Sequence, residues 1–475
     1  MSLPIKTRAG NLVQIDGEAL QALDMAVRGP IVTAESADYD EVRAVWNRMI
    51  DKRPALIVRC TGTADVVTAV NFARENDLLL AVRGGGHNAA GSATCDDGML
   101  IDLSLMNGVI VDSAARTAFV QGGATLGDVD HETQLHGLAT PLGVVSETGV
   151  AGLALGGGYG HLRRKYGLSC DNFQSVEIVT ADGQVRTASA EENCDLFWAL
   201  RGGGGNFGVV TTFELELHPV GPMVYYIGAM YPLEKVGEVL PAWSDYMARA
   251  PREFSCNFMY WTVPDVDAFP EGARKKDVAV ISGVHCGPPA EAAAALQPLR
   301  ELAEPVLDLS GEYPYAAVQA MFDWLFPKNQ IYSYWKSLYG DTLNDEVADV
   351  IYEWVKERPT SMILFDIWAM GGAITDVAAE ESAMGDRSAP VTYVFNTSWD
   401  DPALADACVA WTREFYEALL PYSPGGSYLN FPGFMGDETG LVHKAYGRNY
   451  ERLAHLKMKY DPHNLFSVNM NVQPA

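Results

Sequence analysis

The chain has few basic residues for its size. Its 34 lysines and arginines stand against 61 aspartates and glutamates, which gives the 475 residues a formal net charge of −27 at neutral pH. The acidic residues are spread along the chain and do not form a tail. A surface of this sign repels a phosphate backbone and anionic lipid headgroups. We therefore expect no nucleic acid and no membrane among its partners.

The cysteines are too scattered for a metal site. Seven are present, and none forms a C-x-x-C pair or a metal-like cluster. An odd number at wide spacing is typical of reduced, mostly buried thiols in a cytosolic protein. The first 30 residues lack a basic start followed by an apolar core. No apolar run approaches the length of about 18 residues that a membrane span needs. These absences predict a cytoplasmic protein without a bound metal.

Two nucleotide-binding signatures are missing or misplaced. No G-x-x-x-x-G-K-[ST] phosphate loop occurs, which argues against a nucleotide triphosphatase. A G-x-G-x-x-G pattern runs from Gly203 to Gly208, but it follows a predicted helix (194–200) and precedes a predicted strand (209–217). A nicotinamide-type Rossmann motif needs the opposite order, with the strand before the glycines and the helix after them. We therefore reject a Rossmann dehydrogenase.

What the chain does contain is a glycine-rich turn at residues 83–88 (RGGGHN), which we call the glycine turn. It follows an apolar run, 78–82, that predicts a buried strand. Three consecutive glycines remove every Cβ from the turn, so backbone N–H groups can close on an anion such as a pyrophosphate. His87 directly follows the three glycines, at the end of the turn. A structural turn with an incidental histidine is the alternative that these residues leave open.

The residues around the glycine turn predict a β-α-β unit, with Thr63 as the cap of its helix. A second glycine-rich segment, 148–160, is too apolar for a solvated loop and too rich in glycine for a regular helix. It indicates either close helix packing or backbone laid against a flat ligand. The expected elements are strands at 54–60, 78–82, 98–103, 108–112 and 117–121, helices from 63 and over 126–135, and an amphipathic stretch at 39–50.

The chain changes character at about residue 219, where glycine clusters end and aromatic residues become frequent. Strand pairs without an intervening helix, as between 254 and 285, indicate an antiparallel sheet with helices on one face. We therefore expect an α+β protein whose second domain can form one wall of a pocket. The expected elements are strands at 223–230, 254–262, 277–285, 361–370 and 390–398 and helices at 232–249, 289–303, 343–357 and 402–419.

Five motifs occur in order along the chain: residues 83–88, 149–160, 165–172, 196–208, and 460–464 followed by Asn469 and Asn471. They resemble the berberine-bridge-enzyme-like branch of the vanillyl-alcohol-oxidase (p-cresol methylhydroxylase) superfamily of FAD-linked oxidases. Within that branch, these motifs are most similar to those of bacterial members of the 6-hydroxy-D-nicotine oxidase type. The likeness runs from about residue 54 to 213 and again from 460 to 474.

The resemblance implies an FAD-binding domain built from both chain ends, residues 1–218 and 441–475, with a substrate-binding domain, residues 219–440, inserted between them. It also implies that the glycine turn holds the pyrophosphate and that His87 bonds covalently to the flavin 8α-methyl. The implied cofactor contacts are Arg83, Gly84, Gly85, Gly86, His87, Asn88, Ser92, Thr148, Gly149, Gly152, Leu155, Gly156, Gly157, Gly158, Tyr159, Gly160, Asn172, Gly208, Val210, Asn469 and Asn471.

The sequence departs from the family pattern at one informative position. Many members carry a second covalent link through a cysteine about four residues before the glycine that matches Gly149, and here that position holds Val145. The nearest cysteine, Cys170, lies beyond the glycine run. The resemblance thus implies one covalent link and no cysteinyl link, and a smaller or more enclosed substrate than in doubly linked relatives. Thr148 matches the position that gates oxygen in the family, and its small size favours an oxidase.

The activity implied by the resemblance is hydride removal from a C–H bond beside an alcohol, amine or aromatic system, with O2 reduced to hydrogen peroxide. The aromatic-rich second domain favours a small aromatic or heterocyclic substrate, and the acidic charge argues against a phosphorylated one. An oligosaccharide or sugar oxidase of the same family is one alternative. A flavin-binding biosynthetic enzyme without net oxidase turnover is another. We expect a monomer or a homodimer.

The reaction needs a base to accept the substrate's O–H or N–H proton. Asp366 is set inside an apolar strand candidate, where an ionised carboxylate costs several kcal/mol unless it is partnered. Burial would raise its pKa toward the range that suits a base, and it matches an acidic position of the nicotine-oxidase-like relatives. A surface or structural carboxylate is the alternative interpretation. Tyr428 and Tyr393, on neighbouring strand candidates, are the next choices.

Overall fold

The computed structural model describes residues 2–434 and 438–475. The first part of the chain, up to residue 219, forms two larger sheets, of four and five strands, and two two-stranded sheets, with short helices around them. Its elements are β1 (Leu3–Lys6), β2 (Leu12–Ile15), α1 (Gly17–Ala26), β3 (Ile31–Val32), α2 (Tyr39–Arg43), β4 (Leu56–Arg59), α3 (Thr63–Glu75), β5 (Leu80–Arg83), β6 (Met99–Asp102), β7 (Val109–Asp112), β8 (Thr117–Gln121), α4 (Leu126–Gln134), β9 (Leu138–Ala139), α5 (Val150–Leu155), α6 (Arg163–Tyr166), β10 (Phe173–Val179), β11 (Val185–Ser189), α7 (Cys194–Leu200), β12 (Val209–Glu216) and β13 (His218–Pro219).

The first sheet has the order β3-β4-β6-β5, and β6 runs parallel to both β4 and β5. Its strands are apolar and buried on both faces, as parallel strands usually are. Helix α3 buries Val66, Ala69 and Val70 as it passes between this sheet and the second one. The second sheet is antiparallel, with the order β11-β10-β12-β8-β7.

The middle of the chain forms a large antiparallel sheet with the order β17-β14-β16-β15-β20-β21-β19, in which β18 also pairs with β14. Helices cover one face of this sheet, and the other face turns toward the glycine-rich part of the chain. The elements are β14 (Met223–Pro232), α8 (Val236–Met247), β15 (Phe254–Thr262), β16 (Asp277–His285), α9 (Pro289–Arg300), β17 (Leu307–Asp308), β18 (Gly311–Pro314), α10 (Tyr315–Gln319), β19 (Tyr332–Gly340), α11 (Asp345–Lys356), β20 (Leu364–Ala369), β21 (Val391–Trp399) and α12 (Ala405–Leu419).

Alternation along the strands decides which face each side chain occupies. On β15, Phe258 and Tyr260 join the helix-covered core, whereas Met259 lies on the opposite face. The helices contribute apolar side chains such as Val239 and Phe415 to that core. This arrangement confirms the expected α+β class with an antiparallel sheet backed by helices.

The chain end returns to the first part through α13 (Glu438–Tyr446) and α14 (Tyr450–Tyr460). The buried ammonium of Lys457 donates to the carbonyl oxygens of Asn206 (2.7 Å) and Phe466 (2.9 Å) and pairs with Asp461 (2.8 Å). The Asn206 amide donates in turn to the Met470 carbonyl oxygen (3.1 Å). These bonds fix the last residues against the glycine-rich segment that precedes β12. The domain boundaries at 218/219 and 440/441 stay a prediction.

One sequence expectation needs correction, and one strand was missed. Thr63 does not cap α3: the cap position is Gly62, and the Thr63 hydroxyl donates to Glu177 (2.8 Å). The amphipathic stretch 39–50, for which no element was predicted, is helical over α2, and beyond it the side chains of Trp46 and Asn47 donate to the carbonyl oxygens of residues 326 and 333. Strand β19 was not predicted, although it pairs along its whole length with β21. No helix within the described residues is long and apolar enough to cross a membrane.

Candidate active site

A cavity of about 310 Å³ lies between the glycine turn and the uncovered face of the large sheet. One wall consists of backbone from the glycine turn, the start of α5 and residues 204–205. The opposite wall consists of side chains from β15, β20 and β21 together with residues 428–431. The site thus combines a backbone-rich wall with an aromatic-rich wall.

The glycine turn is anchored by a buried carboxylate at its base. Asp102, at the end of β6, lies in register with Arg59 on one neighbouring strand and Arg83 on the other. It pairs with Arg59 (3.1 Å) and with Arg83 (2.9 Å). Although burial acts to raise the pKa of Asp102, the charge and hydrogen bonds of Arg83 hold it below its ordinary value. Arg83 therefore positions the turn and does not line the cavity.

Two backbone segments meet at Gly85 and Gly149. A Cβ on Gly85 would lie 2.4 Å from the Gly149 nitrogen, and one on Gly149 would lie 2.2 Å from the Gly85 nitrogen. Only glycine permits this approach, which sets the glycine turn beside the start of α5. At Gly152, by contrast, a Cβ would meet nothing within 4 Å, although this residue lines the cavity. The cavity wall is therefore free of side chains where a flat ligand could rest.

His87 lines the cavity and is held in place by an aromatic stack. Its ring lies 4.6 Å from the Trp46 ring, with 16° between the planes, and the Trp46 indole N–H donates to the Phe326 carbonyl oxygen (2.9 Å). The Nε2 atom of His87 is buried without a hydrogen-bond partner among the described residues. Burial lowers the pKa of His87 to about 4. The imidazole is therefore neutral at physiological pH and keeps a lone pair for bond formation.

The expected cofactor contacts fall into two groups. Those that line the cavity are Gly84, Gly85, Gly86, His87, Asn88, Ser92, Thr148, Gly149, Gly152, Gly156, Tyr159 and Asn469. Those that do not line it are Arg83, Leu155, Gly157, Gly158, Gly160, Asn172, Gly208, Val210 and Asn471.

Several residues of the second group contact other parts of the protein, and whether the group also contacts the cofactor stays a prediction. Gly160 and Gly208 pack against backbone, since a Cβ on them would lie 1.5 Å from the Leu142 oxygen and 2.4 Å from the Val179 oxygen. The Asn172 amide donates to two carbonyl oxygens, and its own oxygen lies 2.6 Å from His218 Nε2. Leu155 and Val210 belong to the apolar core. Motif position alone does not distinguish residues that line the cavity from residues that lie behind its wall.

Asp366 occupies the middle of the sheet face that borders the cavity. It lies in register with Met259 on β15 and with Val394 on β21, and all three side chains line the cavity. Its carboxylate makes no hydrogen bond or ion pair with any described residue, although the residue is only 8% exposed. Burial raises the pKa of Asp366 to about 7. A lone carboxyl of this kind can accept a proton from a bound molecule near neutral pH.

Tyr393 lies on the wrong face of the sheet to act as the base. It is one residue away from Val394, the register partner of Asp366, so its side chain enters the helix-covered core. Its hydroxyl donates to the Thr342 carbonyl oxygen (2.8 Å). We therefore withdraw Tyr393 as a candidate base.

Tyr428 does line the cavity, and its phenol oxygen accepts hydrogen bonds from the Gly158 N–H (3.0 Å) and the Asn430 amide (2.6 Å). Its ring stacks on Tyr159 at 3.9 Å with 6° between the planes. Burial raises the pKa of Tyr428, while the two donated hydrogen bonds oppose that rise. The phenol is thus held in one orientation at the cavity wall.

Several cavity residues were not predicted from the sequence: His161, Asn257, Met259, Trp335, Asn396, Asn430 and Phe431. Trp46, which stacks on the cavity residue His87, was not predicted either. Trp368 is also on the wall, two residues from Asp366 on the same strand. Alternation along β20 could have found Trp368 once Asp366 was chosen. The other residues become neighbours only through strand register and loop packing.

The buried carboxyl of Asp366 should make the free energy of unfolding of the protein smaller as the pH rises. Its folded-state pKa of about 7 exceeds its ordinary value of 3.8. The folded protein therefore binds this proton more tightly than the unfolded chain does, and stability falls as pH rises from about 4 to about 7. Asp366→Asn should remove this penalty, which is of the order of a few kcal/mol.

Thermal unfolding at pH 5 and pH 8 checks this expectation. The gain in unfolding temperature of Asp366→Asn over the wild type should be larger at pH 8. The control is Asp376→Asn, which changes an exposed aspartate paired with Arg252. An equal or smaller gain at pH 8 would show that Asp366 is ionised without penalty.

Comparisons with known proteins identify relatives of this chain. The family model described as FAD binding domain matches residues 54–189, and the model described as Berberine and berberine like matches residues 427–473. An FAD-linked oxidoreductase of Dictyostelium discoideum is 31% identical over 94% of this chain and 95% of the relative. An (R)-6-hydroxynicotine oxidase of Paenarthrobacter nicotinovorans is 41% identical over 42% of this chain and 43% of the relative.

Solved structures with the same fold are also found. The 6-hydroxy-D-nicotine oxidase from Arthrobacter nicotinovorans superposes with a TM-score of 0.84 at 27% identity, covering 95% of this chain and 99% of that one. A BBE-like protein of Physcomitrella patens also gives a TM-score of 0.84, at 24% identity, and covers 96% of this chain and 99% of that one.

Proposed function

Since the chain belongs to the berberine-bridge-enzyme-like family of FAD-linked oxidoreductases, we propose that it is an oxidase with a covalently bound flavin. Its substrate is a small aromatic or heterocyclic molecule that loses a hydride from a C–H bond beside an alcohol or amine. The electrons pass to O2 and give hydrogen peroxide. The observation that carries this proposal is the unpartnered carboxyl of Asp366, which faces the same cavity as the neutral imidazole of His87.

The cavity walls fit FAD. Gly152 leaves open space where a side chain would otherwise stand, and Gly204 and Gly205 present backbone to the same cavity. The glycine turn offers backbone for the pyrophosphate, and the unpartnered Nε2 of His87 marks the imidazole as the attachment residue. When bound there, FAD supplies the hydride acceptor and the site at which O2 is reduced.

The chain's own residues supply the proton chemistry. Asp366 accepts the O–H or N–H proton of the substrate as the neighbouring C–H bond breaks. Its surroundings on the wall, such as Met259, Val394 and Trp368, are apolar and exclude water from the carboxyl. Exclusion of water keeps the carboxyl basic, because its charged form is poorly solvated. Tyr428 is the second candidate for this role.

The alcohol or amine is enclosed by aromatic side chains. Trp335, Trp368 and Phe431 border the cavity, and Val145 stands on its wall where doubly linked relatives have a cysteine. A small aromatic molecule fits such walls better than a flexible oligosaccharide does. Thr148 also lines the cavity, and its small side chain leaves room for O2.

A cytoplasmic location and a monomeric or homodimeric state belong to the same proposal. All seven cysteines are free, and six of them are buried. Free thiols in this number suit a reducing compartment.

An oxygen-consumption screen tests the proposed function. Purified yellow protein is offered aromatic alcohols, aromatic amines, phenols and sugars, while O2 uptake and peroxide release are followed together. We expect at least one aromatic alcohol or amine to bleach the flavin under nitrogen, with the colour returning on admission of air. Turnover with sugars alone would favour the oligosaccharide-oxidase alternative. Flavin that no compound reduces would favour a binding or biosynthetic role without oxidase turnover.

A single covalent link should be visible by mass. Protease digestion of the denatured holoprotein should give one flavin-bearing peptide, which contains His87 and no cysteine. Cys170 is buried in the core with its thiol 3.7 Å from the Asp171 carboxylate, so Cys170→Ser should leave the flavin mass unchanged. A flavin attached to any cysteine peptide would overturn the match of Val145 to the family's cysteine position. It would also remove the reason for preferring a small substrate.

A further inference from the structure

Arg163 is a buried guanidinium without a carboxylate partner. It lies at the start of α6, is 1% exposed, and forms no ion pair with any described residue. Its hydrogen bonds go to neutral acceptors: the carbonyl oxygens of Ala369 (3.0 Å), Gly160 (3.0 Å) and Cys256 (2.8 Å), and the side-chain oxygen of Asn257 (2.7 Å). The guanidinium also stands over the Trp368 ring, 5.0 Å from its centre.

The positive charge of Arg163 persists at neutral pH. Burial, followed by the neighbouring charge of Arg164, lowers the pKa of Arg163 to about 9. His161, which lines the cavity beside it, is neutral because burial and the charge of Arg163 lower its pKa to about 3. A buried cation surrounded by neutral acceptors is costly, and a negative charge nearby would relieve that cost.

The bond from Arg163 fixes the orientation of the Asn257 amide. A guanidinium only donates hydrogen bonds, so the atom of Asn257 that it contacts must be the oxygen. The amide nitrogen Nδ2 is then turned away from Arg163. Asn257 lines the cavity, and Nδ2 has no hydrogen-bond partner among the described residues. Asn257 thus offers the cavity a hydrogen-bond donor with a positive charge directly behind it.

This donor is separate from the carboxyl of Asp366. On β15 and β20, Asn257 pairs with Trp368 and Met259 pairs with Asp366. Asn257 and Asp366 are therefore diagonal neighbours on one face, about 7–8 Å apart between their Cα atoms. The cavity has a proton acceptor at one place and an electropositive donor at another.

We propose that Asn257, held by Arg163, binds an oxygen of the substrate that carries full or partial negative charge, such as a carboxylate, phenolate or carbonyl oxygen. This inference rests on the proposed function in taking the cavity as the substrate site. It narrows the substrate class to aromatic molecules that bear such an oxygen in addition to the alcohol or amine. Asn257 is then a specificity-determining contact. Arg163 is a positioning residue, and its positive charge also attracts the substrate oxygen.

Three small probes test this proposal on the holoenzyme: benzoate, benzamide and benzylamine. Their dissociation constants are measured by isothermal titration calorimetry with O2 removed, so that benzylamine, itself an aromatic amine, cannot turn over. The pH is 6, where Asp366 is mostly protonated and does not repel benzoate. In the wild type, benzoate should bind most tightly and benzylamine least. Asn257→Leu should weaken benzoate and benzamide by about tenfold or more and leave benzylamine unchanged.

Asn257→Asp is the most informative variant, because it should change the affinities for benzoate and benzylamine in opposite directions. Its carboxylate would pair with Arg163, remove the donor and cancel the charge, so benzoate affinity should fall further than with Asn257→Leu while benzylamine affinity should rise. Arg163→Met should weaken benzoate more than benzamide. If Arg163→Met does not fold, Arg163→Lys, which keeps the charge without the planar fork, should give a smaller loss for benzoate.

Arg358→Met is the matched control, because Arg358 is a buried arginine that pairs with Asp277 away from the cavity. It should leave all three affinities unchanged. The proposal is overturned if wild-type protein does not bind benzoate, or if Asn257→Leu leaves benzoate affinity unchanged. Calorimetry needs no turnover. Benzoate binding through Asn257 without any oxidase activity would therefore uphold this inference and contradict the proposed function.

Discussion

His87→Ala should convert covalently bound flavin into flavin that acid removes completely. The imidazole is neutral, lines the cavity and has an unpartnered Nε2, whereas alanine offers no atom for a bond to the cofactor. Wild-type protein precipitated with trichloroacetic acid should give a yellow pellet, and the variant should give a colourless pellet with yellow supernatant. Absorbance of the two fractions and the mass of the intact denatured chain measure the change.

The fold should survive this substitution, because the Gly85–Gly149 approach and the Asp102 ion pairs do not involve His87. His131→Ala is the matched control, since His131 is exposed on α4 and lies outside the cavity. It should keep the flavin in the pellet. A yellow pellet from His87→Ala would place the covalent bond on another residue.

Asp366→Asn should slow flavin reduction by about 10²-fold or more, which is the usual contribution of a general base. Asparagine keeps the size of the side chain but cannot accept the substrate's proton. Stopped-flow absorbance under nitrogen, with the substrate found by the oxygen screen, measures the rate. Covalent flavin and the fold should be retained, since Asp366 makes no hydrogen bond to any described residue.

The pH dependence gives a second check on the same residue. Asp366 acts in its deprotonated form and has a pKa of about 7. The wild-type rate should therefore rise with pH through about 7 and level off above it, whereas the rate of Asp366→Asn should lack this step. Asp376→Asn, on the surface, should behave as the wild type does. Unchanged reduction in Asp366→Asn would move the role of the base to Tyr428.

Local pattern was enough to predict much of the fold. The predicted strands at 254–262 and 277–285 coincide with β15 and β16, and the predicted helix at 194–200 coincides with α7. Each is specified by apolar spacing and by turn residues at its ends, which are properties of neighbouring residues. The strand that was missed, β19, is held along its whole length by a partner about 60 residues away.

For the candidate site, the sequence by itself determined the chemistry of single residues: a glycine turn ending in His87 and a carboxylate inside an apolar strand at Asp366. Tertiary structure decided which residues meet there. The register between β20 and β21 sent Tyr393 to the helix-covered core, and the register between β15 and β20 brought Asn257 beside Asp366. A shift of one residue in either register would reverse the faces, because side chains alternate across a sheet. Such registers depend on contacts between distant parts of the chain, which short-range periodicity does not encode.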